Sequence, residues 1–200
     1  MSAPPSAAAR LRRSLLGAAP AAALVLVFGF VVDAVASPGD RQTAINLLVA
    51  IVAVLGLQVY VGNTGVLTFG HLAFMAVGAY VSALVTIPVA VRASQVPDLP
   101  LLGDVLMGDV AATLFAGLVA AAVAAVLGAL FARFSGTAAV IATFGLLAIS
   151  NTLLNGLDGV TGGAQGLYGV PRTTTVAGAA VVAAIAIVVA RLVRGSRLGL

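Results

Sequence analysis

The 200-residue sequence predicts an all-α, polytopic membrane protein with about six transmembrane helices, and three observations carry that expectation. First, 62% of the residues are hydrophobic and 8% charged, with a mean hydropathy of +1.18, whereas an ordinary soluble domain carries about 25% charged residues. Second, the charges cut the chain into uncharged runs of 19, 50, 23, 24 and 18 residues, at 14–32, 42–91, 110–132, 134–157 and 173–190. A helix rising about 1.5 Å per residue needs about 20 residues to cross a hydrocarbon core of roughly 30 Å, so the shorter runs each cross once and the longest crosses twice. Third, a cytoplasmic N-terminus places Arg10, Arg12, Arg13, Arg133, Arg191, Arg194 and Arg197 inside and only Arg41, Arg92 and Arg172 outside, as the positive-inside bias requires. Asp33, Asp40, Asp98, Asp104, Asp109 and Asp158 then fall outside or at outer helix ends.

Residues 1–14 read as a cytoplasmic tail and 15–200 as one membrane domain. The first helix is expected near 15–35. Its basic start, apolar run and "AVAS" at 34–37 also have the form of a secretory signal with an A-x-A cleavage site. A usual signal core is about 7–15 residues, shorter than this run, which favours an uncleaved helix. The second and third helices are expected near 43–61 and 70–91, followed by an outer loop at 92–107 that contains Pro97 and Pro100. The fourth, fifth and sixth are expected near 109–131, 137–155 and 175–190. A membrane β-barrel is a poor alternative, because its strands alternate apolar and polar residues and "AAAVAAVLGALF" does not.

The same composition removes several function classes. There is no Cys, no Glu and one His, so disulfides, thiolate sites and a protein-built metal centre are not expected, and neither is a cofactor. The pI near 10.7 rests on arginines scattered between apolar runs, which is not the basic face of a nucleic-acid binder. The expected surroundings are membrane lipid, in a multi-pass protein of the plasma or inner membrane.

One stretch resists this plain reading. "GNTGVLTFGHLAFMAVGAY", residues 62–80, places Gly62, Asn63, Gly65, Thr68, Gly70 and the lone His71 inside the longest uncharged run. Lipid cannot satisfy the backbone groups that such a break exposes, so protein or a water-filled cavity must shelter it. Spacing leaves two readings: a short cytoplasmic turn with a helix cap, or a broken-helix element lining a translocation path. A second block, "TGGAQGLYGVP" at 161–171, belongs to a Gly-rich outer connection of about 20 residues, longer than the usual 2–8 of a helical bundle. It reads as a flexible connector, or as an outer gate or a docking surface for a solute-binding protein. No Gly-Lys-Ser/Thr follows, so it is not a phosphate loop. Arg191, Arg194 and Arg197 close the sixth helix, where they anchor a cytoplasmic end and complement its dipole.

The first stretch resembles the signature of permease subunits of branched-chain amino acid ABC importers of the LIV-M type, typically Gly-x-x-Gly-x-Leu-Ser-x-Gly-His-x-x-Phe-x-x-x-Gly-Ala-Tyr. Gly62, Gly65, Leu67, Gly70, His71, Phe74, Gly78, Ala79 and Tyr80 match it, and Thr68 keeps the hydroxyl of the usual Ser. The second block is similar to the family's Thr-Gly-Gly-x-Asn-Gly-Leu-x-Gly-Ile-Pro, with Gln165 in place of Asn. Two motifs in order, about 90 residues apart, are more specific than either alone. The resemblance runs from about residue 43 to the end.

The resemblance implies a transport subunit rather than an enzyme. It forms a membrane path for branched-chain amino acids or related small polar solutes, and a separate ATPase energises it. The implied partners are a second permease subunit, ATP-binding subunits and an extracytoplasmic solute-binding protein. The implied path residues are Gly62, Asn63, Gly65, Thr68, Gly70, His71, Thr161, Gly162, Gly163 and Gln165, with Arg191, Arg194 and Arg197 on the approach to the ATPase. Relatives continue through further helices, so these 200 residues correspond to the N-terminal part of a larger permease fold. Where relatives often carry Glu and Arg, "TFGLLAISN" has Ala148 and Asn151, which loosens the link to leucine, isoleucine or valine specifically. The rivals are a passive pore or scaffold, and an intramembrane enzyme using His71 with Thr68 or Ser150. The latter lacks a Gly-x-Ser-x-Gly elbow.

Overall fold

A computed structural model of the chain describes residues 7–65, 67–96 and 105–195. The described residues form eight α-helices, short turns and no strand. They divide into two compact bodies, residues 1–65 with 174–200, and residues 66–173.

The first body contains α1 (Ala7–Val35), α2 (Pro38–Thr64) and α8 (Val176–Gly195). The turn between α1 and α2 is fastened by local chemistry. Ser37 caps α2: its hydroxyl accepts from the Asp40 N–H and donates to the Asp40 carboxylate, and Pro38 occupies the first helical position, where a missing N–H costs nothing. Arg41 reaches back to the Asp33 carbonyl at 2.7 Å, satisfying an acceptor in the last turn of α1. α8 lies against both partners through Val176, Ala179, Ala180, Ala183 and Ile187, a helical stripe that meets Ala18 and Val25 of α1 and Ala44 and Leu48 of α2. The stripe is mostly alanine because association in lipid rests on close van der Waals approach rather than on escape from water. Gly29 marks the tightest point: a Cβ there would overlap that of Ala180.

The second body contains α3 (Gly70–Thr86), α4 (Val89–Gln95), α5 (Asp109–Phe131), α6 (Gly136–Gly156) and α7 (Asp158–Thr161), with a 3-10 turn at Gly163–Gln165. α3 crosses α5 where Gly78 faces Ala116 and Ala120. Pro88 divides the helix expected over 70–91. The residue before a proline is driven out of the α region, and Ile87 takes φ −64° and ψ 134°. α3 therefore ends at Thr86, and a separate short helix follows. The segment entering α5 returns to this end, where the Met107 N–H bonds the Val85 carbonyl at 2.9 Å.

Arg92 is not the exposed loop charge that the sequence implied. It is 4% exposed, and its Nη1 donates to the carbonyls of Leu84 at 2.7 Å and Val105 at 2.8 Å. A buried guanidinium is tolerable when its donors find such acceptors, and here they tie the end of α3 to the returning chain.

Among the described residues, five helical segments are long and apolar enough to cross a membrane: 14–35, 38–63, 109–131, 136–156 and 176–194. α3, with 17 residues, reaches about 25 Å. Large apolar side chains such as Leu24, Phe30, Val110, Leu118 and Val126 are exposed on these helices. A water-soluble monomer seldom tolerates so much exposed apolar surface, whereas lipid accepts it. The protein is an all-α, multi-pass membrane protein.

Candidate functional site

The interrupted stretch straddles the two bodies. Gly62, Asn63 and Gly65 close α2 in the first, and Thr68, Gly70 and His71 open α3 in the second. Gly65 is the left-handed cap of α2, with φ +66°, and its N–H bonds the Val61 carbonyl at 2.9 Å. A glycine suits this position because a side chain strains that backbone.

The start of α3 is satisfied by two buried hydroxyls. The Thr68 Oγ1 accepts from the Gly70 N–H at 3.2 Å. The Thr143 Oγ1 of α6 accepts from the Phe69 N–H at 3.4 Å and donates to the Val140 carbonyl at 3.0 Å. The Phe69 ring meets Phe144 edge to face, with centroids 5.8 Å apart. Sequence reading missed Thr143. A threonine within an apolar helix carries no local signal that it serves a helix 74 residues away. A Cβ on Gly70 would stand 3.4 Å from Leu146 and 3.6 Å from the Thr143 Cβ, so the space fits a methyl group but little more. The His71 Nδ1 is buried and has no hydrogen-bond partner among the described residues. An unpaired buried polar group costs about 1–3 kcal/mol, and a water or solute that bonded it would recover that cost.

The 161–171 block is a built corner rather than a loose connector. The Thr161 hydroxyl is buried between the carbonyls of Leu154 and Leu157, which end α6, and accepts from the Gly163 N–H. Gly162, Gly163, Gly166 and Gly169 have φ of +73°, +57°, +68° and +78°. The glycine spacing of this block is therefore a backbone requirement. A Cβ on Gly163 would overlap the Asp158 carboxylate as well. Gln165 is exposed on the 3-10 turn. Further along, the Gln95 side-chain amide at the end of α4 pairs with the Tyr168 main chain, accepting from its N–H and donating to its carbonyl, both at 2.9 Å.

The predicted residues thus form two groups on the second body and one on the first. Thr68, Gly70 and His71 lie by Thr143, and Thr161, Gly162 and Gly163 by Leu154, about three turns or roughly 16 Å along α6. They do not converge on one point. The two signature stretches do meet elsewhere: Ala79 and Tyr80, which end the first, share a hollow of about 230 Å³ with Ala83 and with Leu167 and Val170 of the second. On the first body, Asn63 lines a groove with Arg191 and Arg194, and a Cβ on Gly62 would stand 3.8 Å from the Arg194 guanidinium. Arg197 lies outside the described residues. Among the described residues, no cluster of carboxylates, histidine or cysteine is arranged to hold a metal ion.

The comparison with family models matches residues 42–198 to "Branched-chain amino acid transport system / permease component". No curated protein and no solved structure matches the chain. The matched span holds both signature stretches, all of the second body, and all of α8 with all but the first turn of α2 in the first. It covers well over half of the sequence, and the chain belongs to this family of transmembrane permease components of ABC importers, which transport rather than catalyse.

Proposed function

We propose that the second body forms part of a solute path with α6 along its length, the Thr68–Gly70–His71 corner at the cytoplasmic mouth and the Thr161–Gln165 corner at the outer mouth. The observation that carries this reading is the hollow shared by Tyr80 of α3 and the Gly-rich outer block. Its lining of two alanines, a leucine, a valine and a tyrosine suits a small aliphatic side chain, and the Tyr80 hydroxyl supplies one polar group. At about 230 Å³ it has room for a small aliphatic side chain. The unpaired His71 Nδ1 supplies a polar contact at the other mouth.

In this reading the N-terminus is cytoplasmic, in line with the arginine distribution. A second permease subunit faces this one, ATP-binding subunits dock on the cytoplasmic side, and an extracytoplasmic binding protein delivers solute near 161–171. The chain itself hydrolyses nothing. The test is the reconstituted importer, challenged with binding protein loaded with leucine, isoleucine or valine, or with urea as the small polar alternative. Stimulated ATP hydrolysis with a branched-chain amino acid, and an Ala83→Leu variant that loses transport of leucine before that of valine, support the assignment. Stimulation by urea alone, or an Ala83→Leu variant with unchanged selectivity, overturns it.

A further inference from the structure

The groove on the first body is larger than the hollow just described, at about 270 Å³, and has a different chemistry. Its polar end holds Arg191 and Arg194 of α8 with Gln58 and Asn63 of α2, and its walls are aliphatic, among them Leu55 and Ile187. The acidic side chains of this body are Asp33 and Asp40. Asp40 stands at the opposite end of α2, about 35 Å from Asn63 along the helix, and Asp33 is in the last turn of α1, beside that distant end. Neither neutralises the arginines. The carboxyl ends of α2 and α8 meet here, and two helix dipoles amount to about one negative charge, against the two positive charges of Arg191 and Arg194. A net positive end remains.

We propose that this groove binds one anionic phospholipid, its phosphate held by Arg191 and Arg194 with Gln58 and Asn63, and an acyl chain lying along the aliphatic walls. The depth of the groove selects this occupant. On α2 it extends from Asn63 to Ile51, roughly 18 Å along the helix axis and well within a hydrocarbon core of roughly 30 Å. A cytosolic protein reaches the arginines but not the aliphatic floor. A free anion gains nothing from that floor. A lipid with an anionic headgroup meets both, as basic pockets between transmembrane helices do for phosphate headgroups.

The test is native mass spectrometry of the full chain, released from detergent micelles doped with dioleoyl phosphatidylglycerol, dioleoyl phosphatidylcholine or inorganic phosphate. The wild type is expected to retain one phosphatidylglycerol in preference to phosphatidylcholine. The Arg191→Gln/Arg194→Gln pair is expected to lower that preference by roughly tenfold or more, while Arg191→Lys/Arg194→Lys keeps most of it. Ala190→Phe fills the groove without altering charge, and is expected to weaken retention as well. Arg41→Gln, at the opposite end of α2, serves as the control and leaves retention unchanged. Far-UV circular dichroism confirms that each variant is helical, and a misfolded glutamine pair is replaced by Ala190→Phe as the deciding variant. Equal retention of both lipids overturns the proposal. So does inorganic phosphate that displaces the lipid, or an Ala190→Phe variant with full retention. So, finally, does a glutamine pair that keeps its lipid but loses the ATP-binding subunits in the assembled importer, because the arginines then serve a protein partner.

Discussion

The side-chain amide of Gln95 and the main chain of Tyr168 exchange two hydrogen bonds, each 2.9 Å long, across 73 residues of sequence. A primary amide offers one donor and one acceptor side by side, which is what the N–H and carbonyl of a single residue can pair with. Gly169 follows directly, with a left-handed φ, and a Cβ there would stand 3.1 Å from Val91. The 161–171 block is thereby laid against α4 and held beside the hollow.

Replacing Gln95 by alanine removes both bonds, each worth about 0.5–1.5 kcal/mol. Limited proteolysis of the folded chain is expected to cut within 161–175 several-fold faster in Gln95→Ala than in wild type. Gln95→Glu keeps an acceptor for the Tyr168 N–H but no donor for its carbonyl, and is expected to fall between the two.

Gly29 and Ala180 bring α1 and α8 into contact with no room for a second methyl group. Gly29→Val should destabilise the first body by about 1–3 kcal/mol, the usual scale of overpacking. A lower midpoint in detergent-solubilised thermal unfolding checks this, and Ala180→Gly in the same chain should restore part of the loss. Rescue depends on contact between the two positions, since independent sites add without coupling.

Gly162 and Gly163 hold a positive φ, and a side chain on either overlaps a neighbour, the Gly166 carbonyl or the Asp158 carboxylate. Gly162→Ala or Gly163→Ala should distort the corner that ends α6, with the membrane-spanning helices retained. Uptake by the assembled importer is expected to fall several-fold while far-UV circular dichroism of the chain stays unchanged.

Thr143 supplies the acceptor for the Phe69 N–H from another helix. Thr143→Val keeps the shape and removes the acceptor from that half-buried N–H, which should cost about 0.5–1.5 kcal/mol, the usual net value of one hydrogen bond. Thr143→Ser keeps the hydroxyl, so its unfolding midpoint should stay close to wild type, and the difference between the two variants isolates the hydrogen bond.

Legibility from sequence differed by element for physical reasons. The fourth span was expected over 109–131 and is α5, Asp109–Phe131, because Asp109 and the break at Arg133 mark its ends. The second was expected over 43–61 and starts earlier, at Pro38; "SPGD" carries the cap and the first-turn proline, but charge spacing alone overlooks them. Pro88 separates α3 from α4, so the apolar run that charge spacing alone reads as one helix over 70–91 is two. α8 runs past Arg191 to Gly195, since arginines mark where lipid ends rather than where a helix must. The glycine-rich block at 161–171 is recognisable in the sequence, but the Gln95 clamp and the role of Thr143 depend on partners far along the chain. No local pattern encodes such partners.

The central claim is that the polar interruptions shelter a solute path with one mouth on each side of the membrane. The chain has no cysteine, so His71→Cys, Gln165→Cys and Leu118→Cys can each be labelled singly in the assembled importer within sealed vesicles. An impermeant maleimide should reach position 165 only from outside and position 71 only from the cytoplasmic side, more slowly when transport is saturated with solute. Position 118, on the apolar surface of α5, should stay unlabelled. Labelling of 71 and 165 from the same side, or reaction of 71 only with a lipid-soluble maleimide, contradicts the account.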